Sequence, residues 1–357
     1  MELPPTASIV IPAYNAANFV QEAIRSAQEQ TLKDVEIIVV DDCSTDATWD
    51  IVQAAAARDP RILPLRRTRR GGPSAACNDG FDRASGHWIA LLDADDLFLP
   101  ERMERLITLA EKWGADLIAD NLLRRDFATG TDLGMHFPDE ILTHEGPLTL
   151  SQMLQRDMPD QPTHAKLGFV QPIKRRDFLR RNQVRFAEDI GAGEDFLFYY
   201  ECVARGARFH LTPEAYYVYR VRQGSVSNSR SAIPHFSAAN RRMLRLSSGL
   251  GDPEVMRLLR HRQRMLDYSS FVHAVDEGRF LDALRYAHCG TPARLMAHLR
   301  ILAVAWGLRR GAGPVPAASP PPRPAWRAPD EGLQRRPGEA ADKGLEGAGI
   351  HAPSTMR

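Results

Sequence analysis

The stretch HWIALLDADD, residues 87–96, decides how this chain folds. Its first six residues are mostly apolar, and three aspartates follow within four positions, at Asp93, Asp95 and Asp96. A short apolar run of this kind is typical of a strand that is buried on both faces of a parallel sheet. Because ligands bind at the carboxyl ends of parallel strands, the aspartates predict a polar site at this edge.

Further apolar runs that predict strands lie on both sides of this stretch. The apolar runs that predict further strands are Ser8–Ala13, Val35–Val40, Ile62–Leu65 and Asp116–Ala119. Between these runs, apolar residues recur at the spacing of amphipathic helices. Strands that alternate with helices predict an α/β fold, in which a mainly parallel, Rossmann-like sheet is covered by helices on both faces.

The rest of the chain divides by pattern into further regions. Residues 121–190 lose the alternation and are predicted to be a loop-rich insertion with short helices. A helix over Glu194–Arg205 and a strand over Ala215–Val221 complete a first domain, residues 1–230. Residues 231–310 are predicted to form a helical region. Residues 311–357 are rich in Pro, Gly and Ala and are predicted to be a disordered tail.

Composition excludes several classes of protein. Of the 357 residues, 43% are hydrophobic and 25% are charged, as in soluble globular proteins. The 46 basic side chains nearly balance the 45 acidic ones, so a nucleic-acid partner is not expected. The four cysteines show no C-x-x-C spacing, which argues against a zinc ribbon or a disulfide scaffold. Neither a signal peptide nor a membrane-spanning apolar run is expected.

Two acidic clusters follow predicted strands. Asp41 and Asp42 come directly after VEIIVV, and the DADD cluster follows HWIALL. An aspartate after a strand can simply cap the next helix, and this alternative remains open for the first cluster. Three carboxylates within four residues repel one another unless a cation is present. The D-x-D spacing therefore predicts a Mg²⁺ or Mn²⁺ ion that is bound together with a phosphate-bearing substrate.

Four segments together resemble a known family. They are SIVIPAYNAANFVQEAIRSAQEQT (8–31), EIIVVDDCSTDAT (36–48), GGPSAACNDGFDRASGHWIALLDADD (71–96) and GAGEDFLFYYECVARG (191–206). In this order they resemble the family-2 inverting glycosyltransferases, which have the GT-A fold. LGFVQPIKRRDFL (167–179) and YRVRQGSVSNS (219–229) resemble in particular the glycosyltransferases of succinoglycan assembly. The resemblance makes residues 1–120 the half that binds the sugar donor, and 121–230 the half with the acceptor site and catalytic base.

The resemblance implies roles for residues that follow the first strands. Pro12 and Tyr14 line the nucleobase pocket, and Asp42 accepts a hydrogen bond from the uracil N–H. Asp93 contacts the ribose or the metal-bound diphosphate, and Asp95 is the direct metal ligand. The family commonly has arginine where this chain has Cys77, and usually glycine where it has Cys43.

Later residues receive the remaining roles. By resemblance, Asp195 is the catalytic base, and Glu194 supports it or positions the acceptor. Acidic residues in a first helical turn also stabilise the helix dipole, so a purely structural role is the alternative. Arg220 and Arg222 are predicted to close over the diphosphate of the sugar donor, or else to flank a strand.

Two basic segments raise the question of membrane contact. Lys174–Arg176 is predicted to lie on a solvated helix, with contact to anionic lipid or to a lipid-diphosphate acceptor as the alternative. Ala293–Arg310 has apolar residues at helical spacing together with several arginines. Such a helix can lie in an anionic lipid interface, or its apolar stripe can pack on the catalytic domain. The expected location is cytoplasmic, with possible peripheral attachment to the inner face of the cell membrane.

The predicted function is a metal-dependent inverting hexosyltransferase. The resemblance implies that it moves a sugar, glucose in the first instance, from a UDP-sugar to a growing lipid-linked oligosaccharide in succinoglycan-like exopolysaccharide synthesis. The alternatives are an enzyme of another cell-surface polysaccharide and a non-catalytic relative that binds nucleotide sugars. Haloacid-dehalogenase-type phosphohydrolases also carry D-x-D after a strand, but near the start of the domain, whereas three predicted strands precede Asp93 here.

Overall fold

The structure is a computed structural model that describes residues 4–138, 142, 146–162, 166–222 and 232–286. Its strands are β1 (Ala7–Ala13), β2 (Val35–Asp41), β3 (Ile62–Arg66), β4 (Trp88–Leu91), β5 (Leu97–Phe98), β6 (Leu117–Asp126), β7 (Asp132–Met135), β8 (Ile173–Arg175) and β9 (Phe209–Val221). Its helices are α1 (Val20–Gln28), α2 (Thr48–Ala56), α3 (Pro73–Arg83), α4 (Arg102–Trp113), α5 (Leu150–Arg156), α6 (Arg176–Asn182), α7 (Glu194–Ala204), α8 (Ile233–Ser247), α9 (Pro253–Asp276) and α10 (Phe280–Arg285).

Within the described ranges, these strands form one sheet in the order β3-β2-β1-β4-β8-β6-β9-β5, with β7 paired to β6. The first four strands of this order pair in parallel, as do β6 and β9. The strands β5, β7 and β8 pair antiparallel to their neighbours. The sheet is therefore mainly parallel, which confirms the predicted fold class.

Burial explains why the early strands are recognisable from sequence. Every residue of β1 except Pro12 is buried, and so is every residue of β2 except Glu36. Strands that are covered by helices on both faces need continuous apolar runs, and these segments have them. The strands and helices predicted before residue 114 are confirmed, with ends that differ by a few residues.

The prediction that residues 121–190 form a loop-rich insertion is partly wrong. Strand β6 continues to Asp126, and β7 pairs with its far end. Strand β8 has only three residues and lies between β4 and β6. A strand this short has no period that a sequence pattern can reveal. Strand β9 is also longer than predicted, because it begins at Phe209 and pairs with β6 across two register shifts.

The region after β9 is helical as far as it is described. The long predicted helical stretch is broken at Gly249–Asp252 and at Glu277–Arg279, which separate α8, α9 and α10. The predicted segment Ala293–Arg310 and the predicted tail lie outside the described residues, and the predicted domain limits remain predictions. None of the helices in the described ranges is long and apolar enough to cross a membrane.

Candidate active site

The carboxyl ends of β1, β2 and β4 meet at one edge of the sheet. Pro12 pairs with Val40, and Ala13 pairs with Asp41, so the end of β1 lies beside the end of β2. On the other side, Val10 pairs with Leu91 of β4. The acidic clusters after β2 and β4 therefore flank the segment that contains Tyr14.

Asp42 is buried and anchors the turn that begins α3. Its Oδ1 accepts hydrogen bonds from Nη1 of Arg67 at 2.7 Å and from the backbone N–H of Gly71 at 2.8 Å. Its Oδ2 accepts one from the N–H of Gly72 at 2.7 Å. A carboxylate offers about four acceptor positions, so one remains for a further N–H group. A Cβ added at Gly71 would lie 1.9 Å from the Arg67 guanidinium, which explains the glycine.

Tyr14 stands at the exposed side of this edge. Its side chain is 38% exposed, and the Arg70 guanidinium lies 4.0 Å from the centre of its ring. This cation–π contact stabilises the ring in one orientation. Pro12 is half-buried in the adjacent strand. The predicted nucleobase residues Pro12, Tyr14 and Asp42 therefore lie at the adjacent ends of β1 and β2, and their contact with a nucleobase remains a prediction.

The DADD cluster is tied to the end of β9. Asp96 is buried, and it accepts hydrogen bonds from the Tyr217 hydroxyl and from the N–H of Arg220, both at 2.8 Å. Asp93 accepts a long hydrogen bond from Nε2 of Gln171 at 3.4 Å. Asp95 accepts one from Nε of Arg222 at 2.8 Å. Asp96 is thus fixed to β9 by two hydrogen bonds, whereas the side chains of Asp93 and Asp95 each accept one.

Arg220 lies in β9, and Arg222 directly follows this strand. The guanidinium groups of both arginines are paired with carboxylates. Arg220 is buried and contacts the Glu22 carboxylate and the carbonyl oxygen of Asp95. Arg222 pairs with the Asp95 carboxylate and lies 5.2 Å from the centre of the Phe19 ring. Sequence reasoning did not find Glu22, because an acidic residue in a first helical turn carries no sign of a partner in another element.

Asp195 and Glu194 occupy the first turn of α7. The preceding Gly193 has a φ of 78°, and a Cβ there would lie 2.7 Å from Cδ1 of Phe236. A cavity of about 420 Å³ opens in front of this turn, and its lining includes Asp93, Glu194 and Asp195. The structure thereby brings Asp93 of the D-x-D cluster and the predicted base Asp195 into one cavity. Tyr14, Asp42, Asp95 and Arg222 are not among its lining residues.

The carboxylates in this cavity have raised pKa values. Burial, followed by the charges of Asp95 and Glu194, raises the pKa of Asp93 to about 7. Burial and then the charges of Glu194 and Asp93 raise the pKa of Asp195 well above its ordinary value. Burial also raises the pKa of Glu194. Burial and the mutual repulsion of these carboxylates therefore favour their protonated forms.

Lys174 is a buried cation beneath the site. Its Nζ donates to the carbonyl oxygen of Pro172 at 2.8 Å and lies 5.8–5.9 Å from the ring centres of Phe81, Phe198 and Tyr199. Burial lowers its pKa to about 8, and the charge of Asp195 opposes that shift. The prediction that Lys174 lies on a solvated helix is wrong, because β8 runs between two strands and turns this side chain into the core.

Cys77 and Cys43 stand where the resemblance led us to expect other residues. Cys77 is buried in α3, and burial raises the pKa of its thiol, with the charge of Asp195 adding to the effect. An uncharged thiol thus occupies the position at which an arginine was expected. Cys43 has a φ of 63° in the turn after β2. A side chain costs free energy in this left-handed conformation, which explains the family's preference for glycine there.

The residues present fit a divalent cation as a site of few protein ligands. In the described part of the chain, no group of three His, Cys, Asp or Glu side chains is arranged to hold an ion. Mg²⁺ sites often use one or two carboxylates and complete the shell with substrate phosphates and water. Asp93 and Asp95 would supply hard oxygen ligands, and an ion there would offset part of the burial and of the repulsion by Asp95 and Glu194 that raise the pKa of Asp93.

Fold and site together define a class of protein. The sheet is mainly parallel, and acidic clusters follow β2 and β4. The acidic pair that begins α7 shares a cavity with Asp93. This arrangement is that of a transferase domain of the GT-A type. Residues 8–177 match the family model described as "Glycosyl transferase family 2". Residues 8–177 therefore form a glycosyltransferase family 2 domain.

Comparison with known proteins identifies a relative of similar sequence. "Succinoglycan biosynthesis protein ExoO" of Rhizobium meliloti (strain 1021) is 39% identical over 225 residues, which are 62% of this chain and 63% of that protein. The match thus spans slightly less than two thirds of that relative's length.

Two solved structures show the same fold. S. aureus TarS 1–349 in complex with UDP-GlcNAc has a TM-score of 0.63 at 20% identity, covering 82% of this chain and 83% of that one. The mannosyltransferase PcManGT from Pyrobaculum calidifontis, in complex with GDP-Man and Mn²⁺, has a TM-score of 0.54 at 18% identity, covering 86% of this chain and 81% of that one. At these identities the likeness concerns the fold.

Proposed function

We propose that this protein is a metal-dependent inverting glycosyltransferase that moves a hexose, glucose in the first instance, from a UDP-sugar to a growing lipid-linked oligosaccharide. One observation carries the proposal: a single cavity is lined both by Asp93 of the D-x-D cluster and by Asp195 at the start of α7. The two aspartates are far apart in sequence, and a displacement reaction at a sugar needs both kinds of group at one place.

The UDP moiety binds at the edge formed by β1, β2 and β4. Tyr14 and Pro12 contact the nucleobase, and the acceptor position left on Asp42 receives its N–H group. Arg220 and Arg222 lie next to the D-x-D cluster, where a diphosphate would meet them. Asp95 together with Asp93 would hold a Mg²⁺ or Mn²⁺ ion, which would supply charge stabilisation for the UDP leaving group.

Asp195 acts as the general base. Its carboxylate accepts the proton of the attacking acceptor hydroxyl while that oxygen forms a bond to the anomeric carbon. The bond from the anomeric carbon to the UDP oxygen breaks on the opposite face, and UDP leaves with the bonding electron pair. Attack and departure on opposite faces invert the anomeric configuration. Glu194 lies beside Asp195 and holds the acceptor or supports the base.

The biological setting is proposed from the relative. The name of ExoO places that protein in succinoglycan biosynthesis, and we propose a similar exopolysaccharide pathway for this chain. A lipid-linked acceptor would bring the enzyme to the inner face of the cell membrane as a peripheral protein. An enzyme of another cell-surface polysaccharide and a binding-only relative are the alternatives.

A turnover assay tests the proposal. Purified protein is incubated with Mn²⁺, a panel of UDP-sugars and lipid-linked oligosaccharide acceptors, and both UDP release and the anomeric configuration of the product are measured. We expect an inverted product that is absent for Asp195→Asn. Mn²⁺-dependent UDP binding without turnover on any acceptor would favour a binding-only relative. A product with retained configuration would contradict the mechanism.

A further inference from the structure

A second cavity of about 410 Å³, which we call the α6 cavity, is lined by residues of α3, β4, α6 and the segment that follows α6. It includes Phe81 and Asp82 from the last turn of α3 and Ile89 from the beginning of β4. Asp93 follows the other end of β4, so Asp93 and the α6 cavity lie at opposite ends of this strand. Among the described residues, the α6 cavity shares no lining residue with the cavity that holds Asp195. It is therefore a separate cavity.

Arginines give the α6 cavity an excess of positive charge. Arg176, Arg180 and Arg185 line it, and Asp82 is the one carboxylate among its described lining residues. Asp82 is engaged by Arg185, which donates to its two oxygens from Nη1 at 2.5 Å and from Nη2 at 2.9 Å. In the ranges that the structure describes, no carboxylate pairs with Arg176 or Arg180. The positive charge of these two guanidinium groups is therefore left for a ligand or for solvent.

The two arginines without ion pairs lie on one face of α6. Arg176 and Arg180 are four positions apart, so they are neighbours on the helix, and like charges at this spacing repel each other. Nη1 of Arg176 donates to the carbonyl oxygen of Ala84 at 3.1 Å, but its Nε is buried and has no hydrogen-bond partner among the described residues. A buried donor of this kind calls for a further acceptor. A phosphate group suits the pair, because its oxygens can accept from two guanidinium groups at once.

Most of the remaining lining of the α6 cavity is apolar. It consists of the half-buried Phe81 and the buried side chains of Ile89, Leu179 and Val184. Inorganic phosphate on the arginines would leave this apolar surface in contact with water. A hydrocarbon group attached to the phosphate would cover it, and the removal of apolar surface from water favours binding. The lining therefore indicates a ligand with an anionic head and an apolar body.

We propose that the α6 cavity binds a phosphate ester of a hydrocarbon group. Arg176 and Arg180 bind the phosphate, and the apolar lining takes the hydrocarbon. Two sources share this chemistry, a phospholipid of a membrane and a soluble organic phosphate. The proposal is independent of the proposed function, because it assigns no role to the residues of the catalytic cavity. It gives the basic face of α6 a specific ligand in place of general contact with solvent.

Three small probes test whether the charged and the apolar parts of the cavity act together. Calorimetry measures the binding of hexyl phosphate, inorganic phosphate and hexanol to the full-length protein. We expect hexyl phosphate to bind at least about 10-fold more tightly than inorganic phosphate, because each buried methylene raises the affinity by about fourfold. Hexanol should bind at least about 10-fold more weakly than hexyl phosphate, because it makes no ionic hydrogen bonds to the arginines. Equal affinities in either comparison would overturn the proposal.

Two matched variants locate the binding. Arg180→Gln removes a charge from the α6 cavity, and Arg181→Gln removes one from the next position of the same helix. Arg181 is exposed, does not line the cavity and donates to the carbonyl oxygen of Asp177. We expect Arg180→Gln to bind hexyl phosphate about 10-fold more weakly and Arg181→Gln to bind it as the wild type does. Equal affinities in the two variants would place the binding elsewhere. If Arg180→Gln does not fold, the comparison of probes on the wild type decides.

Vesicles distinguish the two sources of the ligand. Flotation with phosphatidylglycerol vesicles is measured for the wild type, Arg180→Gln and Arg181→Gln, which differ from the wild type by the same charge. Weaker flotation of Arg180→Gln alone supports a phospholipid as the ligand. Equal flotation of both variants, together with binding of hexyl phosphate that depends on Arg180, supports a soluble organic phosphate. Equal flotation of both variants without such binding shows that the α6 cavity is not a phosphate site.

Discussion

Arg222 donates from Nε to Oδ2 of Asp95 at 2.8 Å, and these residues are 127 positions apart in the chain. The contact joins the end of β9 to the D-x-D cluster. In the absence of ligands, the guanidinium neutralises the carboxylate assigned to the metal. Both side chains are partly exposed, 40% for Arg222 and 29% for Asp95, so the pair is weak enough to be exchanged for another cation.

Arg222→Gln should therefore have opposite effects on the affinity for the metal ion and on the affinity for the nucleotide. Without UDP, Mn²⁺ binding should strengthen by up to about fivefold, because an exposed ion pair contributes about 0.2–1 kcal/mol. With Mn²⁺ present, UDP should bind more weakly, because a contact to its diphosphate is lost. Electron paramagnetic resonance of Mn²⁺ and calorimetry with UDP measure the two effects. Arg242→Gln, which removes an exposed arginine in α8, is the control. Weaker Mn²⁺ binding in Arg222→Gln would contradict this account.

Asp95→Asn should remove the part of UDP affinity that depends on Mn²⁺. A site with one or two protein carboxylates cannot lose one and still hold the ion. UDP titrations with and without Mn²⁺ should then give the same affinity for the variant, and different affinities for the wild type. If the two wild-type titrations agree as well, UDP binding does not depend on the metal.

Asp42→Asn should weaken UDP binding equally with and without Mn²⁺. The substitution puts an NH₂ or a neutral oxygen where the carboxylate accepts hydrogen bonds from Arg67, Gly71 and Gly72. Hydrogen bonds to charged groups contribute about 1.5–3 kcal/mol, so a loss of about 10-fold or more is expected. Asp79→Asn is the matched control, because Asp79 pairs with the same arginine through Nε at 2.7 Å. Calorimetry that shows equal losses in both variants would place the nucleobase contact elsewhere.

Asp195→Asn should lower turnover by about 10²–10⁴-fold and at the same time stabilise the ligand-free protein. Folding raises the pKa of Asp195 above its ordinary 3.8, so the folded state binds this proton more tightly than the unfolded state. Ionised Asp195 therefore costs stability, and the cost grows as the pH rises above 3.8 until it passes the folded pKa.

Thermal unfolding over a range of pH checks the sign of this effect. The melting temperature of Asp195→Asn should exceed that of the wild type at pH 8, and the difference should shrink as the pH falls towards 4. A variant that is less stable than the wild type at pH 8 would show that the ionised carboxylate has a favourable partner in the folded protein.

Lys174→Met should move the acidic limb of the turnover profile to higher pH. Burial, followed by the charges of Glu194 and Asp93, raises the pKa of Asp195, and the charge of Lys174 opposes this shift. Methionine keeps a similar volume among the aromatic rings but carries no charge, so the base should be protonated at a higher pH. The exposed Lys112→Met in α4 serves as the control. An unchanged profile in Lys174→Met would show that its role is confined to the core.

The sequence by itself determined the α/β fold, and it also predicted a set of site residues. Strands β1, β2 and β4 are continuous apolar runs because helices cover both faces of the sheet, and this requirement leaves a local pattern. Acidic residues after such runs predict a polar edge without any knowledge of partners, since parallel strands end on the same side. The order of the motifs then indicated the family, which the match over residues 8–177 supports.

Tertiary structure alone decided which groups face one another. The three-residue strand β8 has no detectable period, yet its insertion between β4 and β6 buries Lys174 beneath Asp195. The pairing of Arg222 with Asp95 and the closure of the cavity by α8 and α9 join segments that are far apart in sequence. Such contacts depend on sheet order, strand register and helix packing, and these are set by the summed burial of the whole core rather than by any local pattern.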